Sequence, residues 1–182
     1  MHCPHCKDHP LTPSFLDGLV RAHSCQQCHG NWLLIEDYIA WRERNPEHQF
    51  SQSNVFEIID SKHALLCPVT QSIMQKFKTT HSSDHKLDYS ASVGGIWLDN
   101  GEWEYLKDNN IAGSLNSIFT SQWQKQLREE STQHAFSDIY EEKFGASNYQ
   151  TVKEIRQWLS EQDNQADLRA YIVATDPYSA DR

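Results

Sequence analysis

The chain has 182 residues, of which 38% are hydrophobic and 23% charged, a composition that excludes a largely disordered or fibrous protein. Its formal net charge is −9, and acidic side chains outnumber basic ones in residues 1–64, 65–110 and 111–182 alike. Because proteins bind nucleic-acid phosphates through lysine and arginine, this charge disfavours a general nucleic-acid binder. The sequence shows no apolar run of about 18 residues and no basic leader before an apolar stretch, so we expect no membrane span and predict a cytoplasmic protein.

Two Cys-x-x-Cys pairs lie near the N-terminus, and eighteen residues separate them. In a reducing compartment such pairs are more often metal ligands than disulfides. Zinc is held in a tetrahedron by ligands from two tight turns of this kind. We therefore predict one structural zinc ion per chain, and its four ligands are Cys3, Cys6, Cys25 and Cys28. With every position closed by a thiolate, the metal would have no open site for catalysis.

The residues around these cysteines predict a small β module that is followed by a helix. Asp17-Gly18 is a strong turn dipeptide between two apolar stretches and predicts a β-hairpin. A helix is predicted at residues 36–44. The same module contains five histidines, which are His2, His5, His9, His23 and His29. They could replace a thiolate or donate hydrogen bonds to sulfur, but we expect them to be exposed polar residues around the metal site.

A second segment repeats this order of features. Cys67 corresponds to Cys3 at an offset of 64 residues, and Trp97 corresponds to Trp32 at an offset of 65, with a helix predicted at residues 101–107. The order predicts two copies of one module. The predicted segments are residues 1–44, a linker at 45–64 and residues 65–108.

The second copy retains only one of the four ligand positions, which read in order Cys67, Thr70, Ser90 and Val93. Since hydroxyls and a valine do not hold zinc, we predict that this copy folds without the metal. Asp99, with Glu102 three residues later, predicts the N-cap of its helix.

A different set of side chains could rebuild a second metal site. This set is His63, Cys67, His81 and His85, two pairs with a spacing of four residues. Such a spacing suits ligands on helices, whereas residues 79–84 are polar and predict a turn between strands. We favour a hairpin tip, and the second site is left open.

These motifs resemble the bacterial zinc ribbon related to that of general transcription factor IIB. Its pattern is Cys-Pro-x-Cys, a β-hairpin, Cys-x-x-Cys-Gly-Gly-x-Trp-Leu-Asp and a helix with Gly-Glu. The first copy matches by its four cysteines, Gly30, Trp32 and Leu33, and the second by Cys67, Pro68, Gly94, Gly95, Trp97, Leu98, Asp99, Gly101 and Glu102. His29 replaces the first glycine of the pattern in copy one. The resemblance implies a small zinc-stabilised β module that serves binding, and its link to transcription is an analogy.

The remaining residues, 115–182, predict an all-α unit after a linker at residues 111–114. Apolar side chains recur at helical spacing, with breaks near Gly145 and between residues 159 and 168. We expect these stripes to form a core. The predicted fold class is therefore α+β, with two tandem ribbon-like modules, each followed by a short helix, and a helical C-terminal region.

No catalytic motif is present, so we expect that the chain is not an enzyme. The favoured hypothesis is a zinc-binding adaptor that interacts with a protein partner, which the sequence does not identify. The alternative is a transcription-associated or nucleic-acid-binding zinc-ribbon factor. The oligomeric state is not predicted.

Overall fold

The computed structural model describes residues 1–52, 61 and 63–178, and in this part of the chain it shows a mixed α+β fold, as predicted. Within the described residues, six strands form one antiparallel sheet: β1 Leu11–Leu16, β2 Val20–Cys25, β3 Asn31–Leu34, β4 Gln75–Lys78, β5 Lys86–Ser90 and β6 Gly95–Leu98. The helices of the same residues are α1 Ile35–Arg44, α2 Glu102–Asp108, α3 Leu115–Ile118, α4 Ser121–Phe144, α5 Ala146–Ser160 and α6 Gln165–Val173. The chain forms two compact units, Met1–Ser131 and Thr132–Arg182.

The first hairpin, β1 and β2, closes where the sequence predicts. Asp17 and Gly18 take φ values of 50° and 71°, the left-handed conformation that a tight hairpin turn requires. The carboxylate of Asp17 also accepts hydrogen bonds from the indole N–H of Trp103 at 2.8 Å and from the Lys107 ammonium at 3.1 Å. The hairpin tip is thereby fixed against α2.

The two halves of the sheet meet at β3 and β6, which pair antiparallel and give the strand order β1-β2-β3-β6-β5-β4. Trp32 lies directly opposite Trp97 in this pairing, and both side chains are buried. A Cβ atom on Gly30 would overlap the ring of Trp97, and one on Gly95 would overlap the ring of Trp32. Each indole therefore covers the glycine of the opposite half, and a larger residue at either glycine would displace it.

Each face of the sheet contributes to a separate apolar cluster. On one face, Leu33, Ile96 and Leu98 pack with buried side chains of the helices, among them Tyr38 and Leu106. On the other face, the two tryptophans pack with a second set of buried residues, namely Cys3, Leu11, Cys25, Leu65, Cys67 and Met74. The cysteine pairs therefore lie on the face opposite the helices.

Two local predictions are wrong. Residues 111–114, expected to be a linker, include a 3₁₀ turn whose Ala112 is buried and accepts a hydrogen bond from the Tyr38 hydroxyl at 2.7 Å. The N-cap of α2 is Gly101, not Asp99. The Asp99 side chain instead accepts the indole N–H of Trp97 at 2.7 Å, while Glu102 accepts the backbone N–H of Asp99 at 2.8 Å. Because the buried indole N–H of Trp97 needs an acceptor, the Asp99 carboxylate bonds to this N–H and does not cap α2.

The C-terminal residues are helical, as predicted, and α4 ends at Phe144 before Gly145, whose φ is 79°. The expectation that all their apolar stripes are core is wrong. Leu127 and Leu159 are buried, but many other large apolar side chains of α4, α5 and α6 are exposed, namely Phe136, Ile139, Tyr140, Phe144, Val152, Ile155, Trp158, Tyr171, Ile172 and Val173. No helix in the described ranges is both long enough and apolar enough to span a membrane.

Candidate metal centre

The structure brings Cys3, Cys6, Cys25 and Cys28 together. Their four sulfur atoms all lie within 4.8 Å of one another, and the Cys3 and Cys28 sulfurs are 3.6 Å apart. In a tetrahedron with Zn–S bonds of about 2.3 Å, neighbouring sulfurs are separated by roughly 3.8 Å. The donor set and its spacing therefore fit one zinc ion, and each of the two predicted pairs supplies half of the site.

The first pair lies on a tight turn that directs backbone N–H groups at sulfur. The Cys3 N–H bonds to the His9 carbonyl at 2.8 Å, and the Lys7 N–H bonds back to the Cys3 carbonyl at 2.8 Å. Lys7 leaves the turn with a φ of 60°. The N–H of Cys6 donates to the Cys3 sulfur at 3.2 Å. Such bonds stabilise a thiolate and orient it towards a metal.

The second pair repeats this geometry at the end of β2. The Cys25 N–H bonds to the Gly30 carbonyl at 2.9 Å, and the His29 N–H bonds to the Cys25 carbonyl at 3.0 Å. His29 takes a φ of 59°, so the turn tolerates a non-glycine residue in the left-handed region. Gly30 follows at once and lies beneath the ring of Trp97. The metal-binding turn therefore rests on a side chain from the other half of the sheet.

Burial and backbone donors act in opposite directions on these thiols. Burial raises the pKa of Cys3 to about 11, against the backbone N–H groups of Cys6 and His5. Burial also raises the pKa of Cys28. At Cys25 burial also acts to raise the pKa, but the N–H groups of Cys28 and Gln27, together with the thiols of Cys28 and Cys3, outweigh burial and lower the pKa to about 7. A bound divalent cation would supply the positive charge that holds all four groups as thiolates.

The nearby histidines do not join this group. His2, His5, His9 and His29 are exposed and His23 is half-buried, in line with the expectation of polar surface residues. A metal site needs at least three ligand atoms from cysteine, histidine, aspartate or glutamate close together. Within the described residues, the four cysteines are the only such group.

The alternative second metal site is not formed. His81 lies 3.2 Å from a carboxylate oxygen of Glu130, whereas buried His85 lies 3.1 Å from an oxygen of buried Glu102. His63 is exposed and Cys67 is buried. His81 and His85 lie between β4 and β5 of a hairpin and not on a helix, and each of them lies beside a different carboxylate.

Hydrogen-bond donors surround the sulfur atom of Cys67. Burial acts to raise the pKa of its thiol, but the hydroxyls of Ser90 and Thr70 and the N–H groups of Thr70 and Val69 outweigh burial and lower it. The Thr70 and Ser90 hydroxyls also each bond to the Ser92 hydroxyl, at 3.2 and 3.1 Å. A small polar network therefore surrounds this sulfur.

Sequence reasoning missed the reciprocal contact of Trp32 and Trp97 with the opposite glycines. It placed Trp97 within its own module, although the structure sets it against Gly30, two residues from Cys28. The repeated Gly-x-Trp spacing was the available signal, since a glycine lets another group come close to the backbone.

Comparison with known proteins bears on the first 44 residues. No curated protein and no solved structure shows a significant match to the chain. Residues 2–44, which include all four cysteines of the site, match the family of transcription factor zinc-fingers, the zinc ribbon of the transcription factor IIB type.

Proposed function

We propose that the chain is an adaptor that binds another protein and whose zinc ion serves structure alone. The observation that carries this proposal is the closed set of four cysteines, which leaves no ligand position for water or substrate. The site also lies in the same buried cluster as the two tryptophans that join the halves of the sheet. Zinc there would stabilise a rigid scaffold rather than perform chemistry.

We further propose that residues 65–108 are a metal-free copy of residues 1–44. The support is local geometry. The Cys67 N–H bonds to the Ser72 carbonyl at 2.8 Å, and the Gln71 N–H bonds to the Cys67 carbonyl at 2.9 Å, as at Cys3 and Lys7. Gln71 has a φ of 58°, against 60° at Lys7. The turn at Cys67 therefore has the backbone geometry of the turn at Cys3, although Thr70, Ser90 and Val93 stand at the other three ligand positions.

This second proposal predicts that the lost site can be restored. Thr70→Cys, Ser90→Cys and Val93→Cys would add three thiols and complete a set of four with Cys67, because the Thr70 and Ser90 hydroxyls already bond to the Cys67 sulfur. The triple variant should bind two zinc ions per chain by elemental analysis. Replacement of the exposed residues Gln71, Ala91 and Ser92 by cysteine is the matched control. A triple variant that stays at one zinc would contradict the proposal.

Protein binding is favoured over nucleic-acid binding by charge. The chain carries 25 acidic and 16 basic side chains, so the long-range field repels phosphate. The family match at residues 2–44 favours the alternative of a transcription-associated or nucleic-acid-binding factor. A cytoplasmic location, absence of catalysis and a stable protein complex belong to the favoured proposal.

The test isolates the tagged full chain from its native cell after brief cross-linking, with and without nuclease treatment. The adaptor proposal expects a defined, nuclease-resistant protein complex and negligible binding of purified chain to DNA or RNA at physiological salt. Tight nucleic-acid binding with a steep salt dependence, and a complex that nuclease dissolves, would overturn the proposal in favour of the alternative.

A further inference from the structure

The helices of the unit Thr132–Arg182 leave a groove between α4 and α5. Its volume is about 930 Å³, and its lining residues are Gln133, Phe136, Ser137, Tyr140, Phe144, Tyr149, Val152, Lys153, Arg156, Gln157 and Ser160. Phe136 is 54% exposed and Phe144 39%, although both are large apolar side chains. Large contiguous apolar patches on a protein surface often mark interaction sites or ligand-binding grooves.

The aromatic floor of the groove is ordered by internal contacts. Tyr140 stacks on Phe144, with ring centroids 5.6 Å apart, and also on Tyr149 across the groove, at 6.3 Å. The Tyr149 hydroxyl hydrogen-bonds with the Ser137 hydroxyl at 2.9 Å. Because these side chains hold one another in place, a ligand would not have to order them on binding.

The charge of the groove is opposite to that of the chain around it. Residues 132–182 contain nine acidic and five basic side chains, a net charge of −4. The groove lining nevertheless contains Lys153 and Arg156 and no aspartate or glutamate. The Lys153 ammonium lies 5.8 Å from the centroid of the Tyr149 ring, so its charge is held at the groove wall.

We propose that this groove binds an acidic amphipathic helix of a protein partner, an inference that rests on the proposed adaptor function. From Phe136 to Phe144, α4 rises about 12 Å, which matches roughly two turns of a docked helix. Apolar side chains at positions i, i+3 or i+4, and i+7 of that helix would cover Tyr140 and Val152, as in other helix-in-groove complexes. Its flanking carboxylates would pair with Lys153 and Arg156. A second copy of this unit is a weaker occupant, because it would bring two groove faces of like charge together.

The test uses the zinc-loaded full chain and three fluorescent helical peptides of about sixteen residues. The first has leucines on one face and glutamates elsewhere, the second has the same composition in scrambled order, and the third has lysine in place of glutamate. We expect the first peptide to bind at least about tenfold more tightly than the other two by fluorescence anisotropy. Equal binding of all three, or tighter binding of the basic peptide, would overturn the proposal.

Variants connect that binding to the groove. Lys153→Glu with Arg156→Glu should weaken binding of the acidic peptide by about tenfold or more, as should Phe136→Ser with Phe144→Ser. Lys143→Glu with Arg169→Glu gives the same change in charge at residues outside the groove lining and should alter binding less than about twofold. Circular dichroism of each variant checks that the helices persist. Loss of binding in the control pair alone, or a dimer cross-linked through the groove itself, would contradict the proposal.

The two proposals fail in different ways. If the native complex forms equally well with Lys153→Glu and Arg156→Glu, the groove proposal is wrong and the adaptor function stands. If the acidic peptide binds as expected but the native cell yields no protein complex, the adaptor function is wrong and the groove chemistry stands.

Discussion

Trp97→Ala should destabilise the whole six-stranded sheet and weaken zinc binding at a site that Trp97 does not ligate. Trp97 is fully buried, and truncation of a buried tryptophan costs about 3–5 kcal/mol. Its indole N–H also donates to Asp99 at 2.7 Å, so the variant leaves a buried carboxylate oxygen without this donor. The ring covers Gly30, and its loss opens a cavity next to the turn that carries Cys28.

The assay measures two quantities on the same zinc-loaded protein. Guanidinium denaturation gives the free energy of unfolding of the sheet, and capture of the metal by an excess of a chromophoric chelator gives the rate of zinc release. We expect an unfolding free energy lower by about 3–5 kcal/mol and a rate of zinc release raised about tenfold or more. Trp158→Ala is the matched control, because this tryptophan is 49% exposed on α5 and lies in neither sheet cluster.

Trp32→Ala should have a comparable effect, since its ring covers Gly95 as that of Trp97 covers Gly30. Two independent modules would behave otherwise. In that case Trp97→Ala would loosen residues 65–108 alone and leave zinc release unchanged. Such a result, with protease protection of residues 1–44 intact, would refute the reasoning that Trp32 and Trp97 form a single packed layer that both halves of the sheet share.

The other predictions concern zinc, the glycines and one buried carboxyl group. Purified protein should contain one zinc per chain by elemental analysis, and Cys25→Ser with Cys28→Ser should remove it; retention of the metal would refute the assigned site. A strong chelator should abolish amide-exchange protection in residues 1–44 while most of the helical signal of residues 132–178 persists, because structural zinc binding is worth on the order of 10 kcal/mol of folding free energy; unchanged protection would contradict this. Gly30→Ala and Gly95→Ala should each lower the denaturation midpoint, whereas Gly113→Ala, where the new Cβ would lie 3.6 Å from the Arg42 side chain, should not. Burial raises the pKa of Glu102 to about 7, so its carboxyl stabilises the folded state fully below about pH 4.5, and this contribution is lost as the pH rises through 7. Relative to the natural chain, Glu102→Gln should therefore gain stability between pH 5 and pH 8; a difference that does not vary with pH would contradict it.

The metal site could be predicted from the sequence because its information is local. Each cysteine pair lies on one turn, and the spacing of two residues already fixes the relative positions of its sulfur atoms. The Asp17-Gly18 turn then aligns β1 with β2 and brings the second pair back towards the first. Short-range rules are sufficient for each of these steps.

The pairing of β3 with β6 could not be predicted in the same way. It joins residues that are 65 positions apart, such as Trp32 and Trp97, a separation too long for a hairpin turn to set the register. The buried pair of His85 and Glu102 and the bond from Trp97 to Asp99 depend on which side chains become buried, which short-range rules do not state. Those rules place Asp99 at the helix end, which is the best local use of an aspartate before a helix.

The exposed apolar stripe of the C-terminal helices shows a different limit. Helical periodicity states that Phe136, Tyr140 and Phe144 share one face of α4, and this is correct. It does not state what covers the face, because a core and a docking surface have the same pattern. Lys153 and Arg156 are three positions apart on α5, and the sequence does not show that they face α4. Only the packing of α4 and α5 brings their positive charge to the groove.

If residues 65–108 fold without a metal, as we propose, the contacts of Trp32 and Trp97 with the opposite glycines would explain how. If residues 65–108 derive from a zinc-binding module, loss of three ligands at positions 70, 90 and 93 removed a large stabilising term. Trp97 contacts Gly30 in the other half, so zinc bound at the four cysteines would also stabilise the side chains packed across the β3–β6 pairing. The ion pair between the Lys76 ammonium and buried Asp88, at 2.8 Å, adds to packing within the second half. We therefore expect that removal of zinc from the four cysteines lowers the stability of residues 65–108 as well as that of residues 1–44.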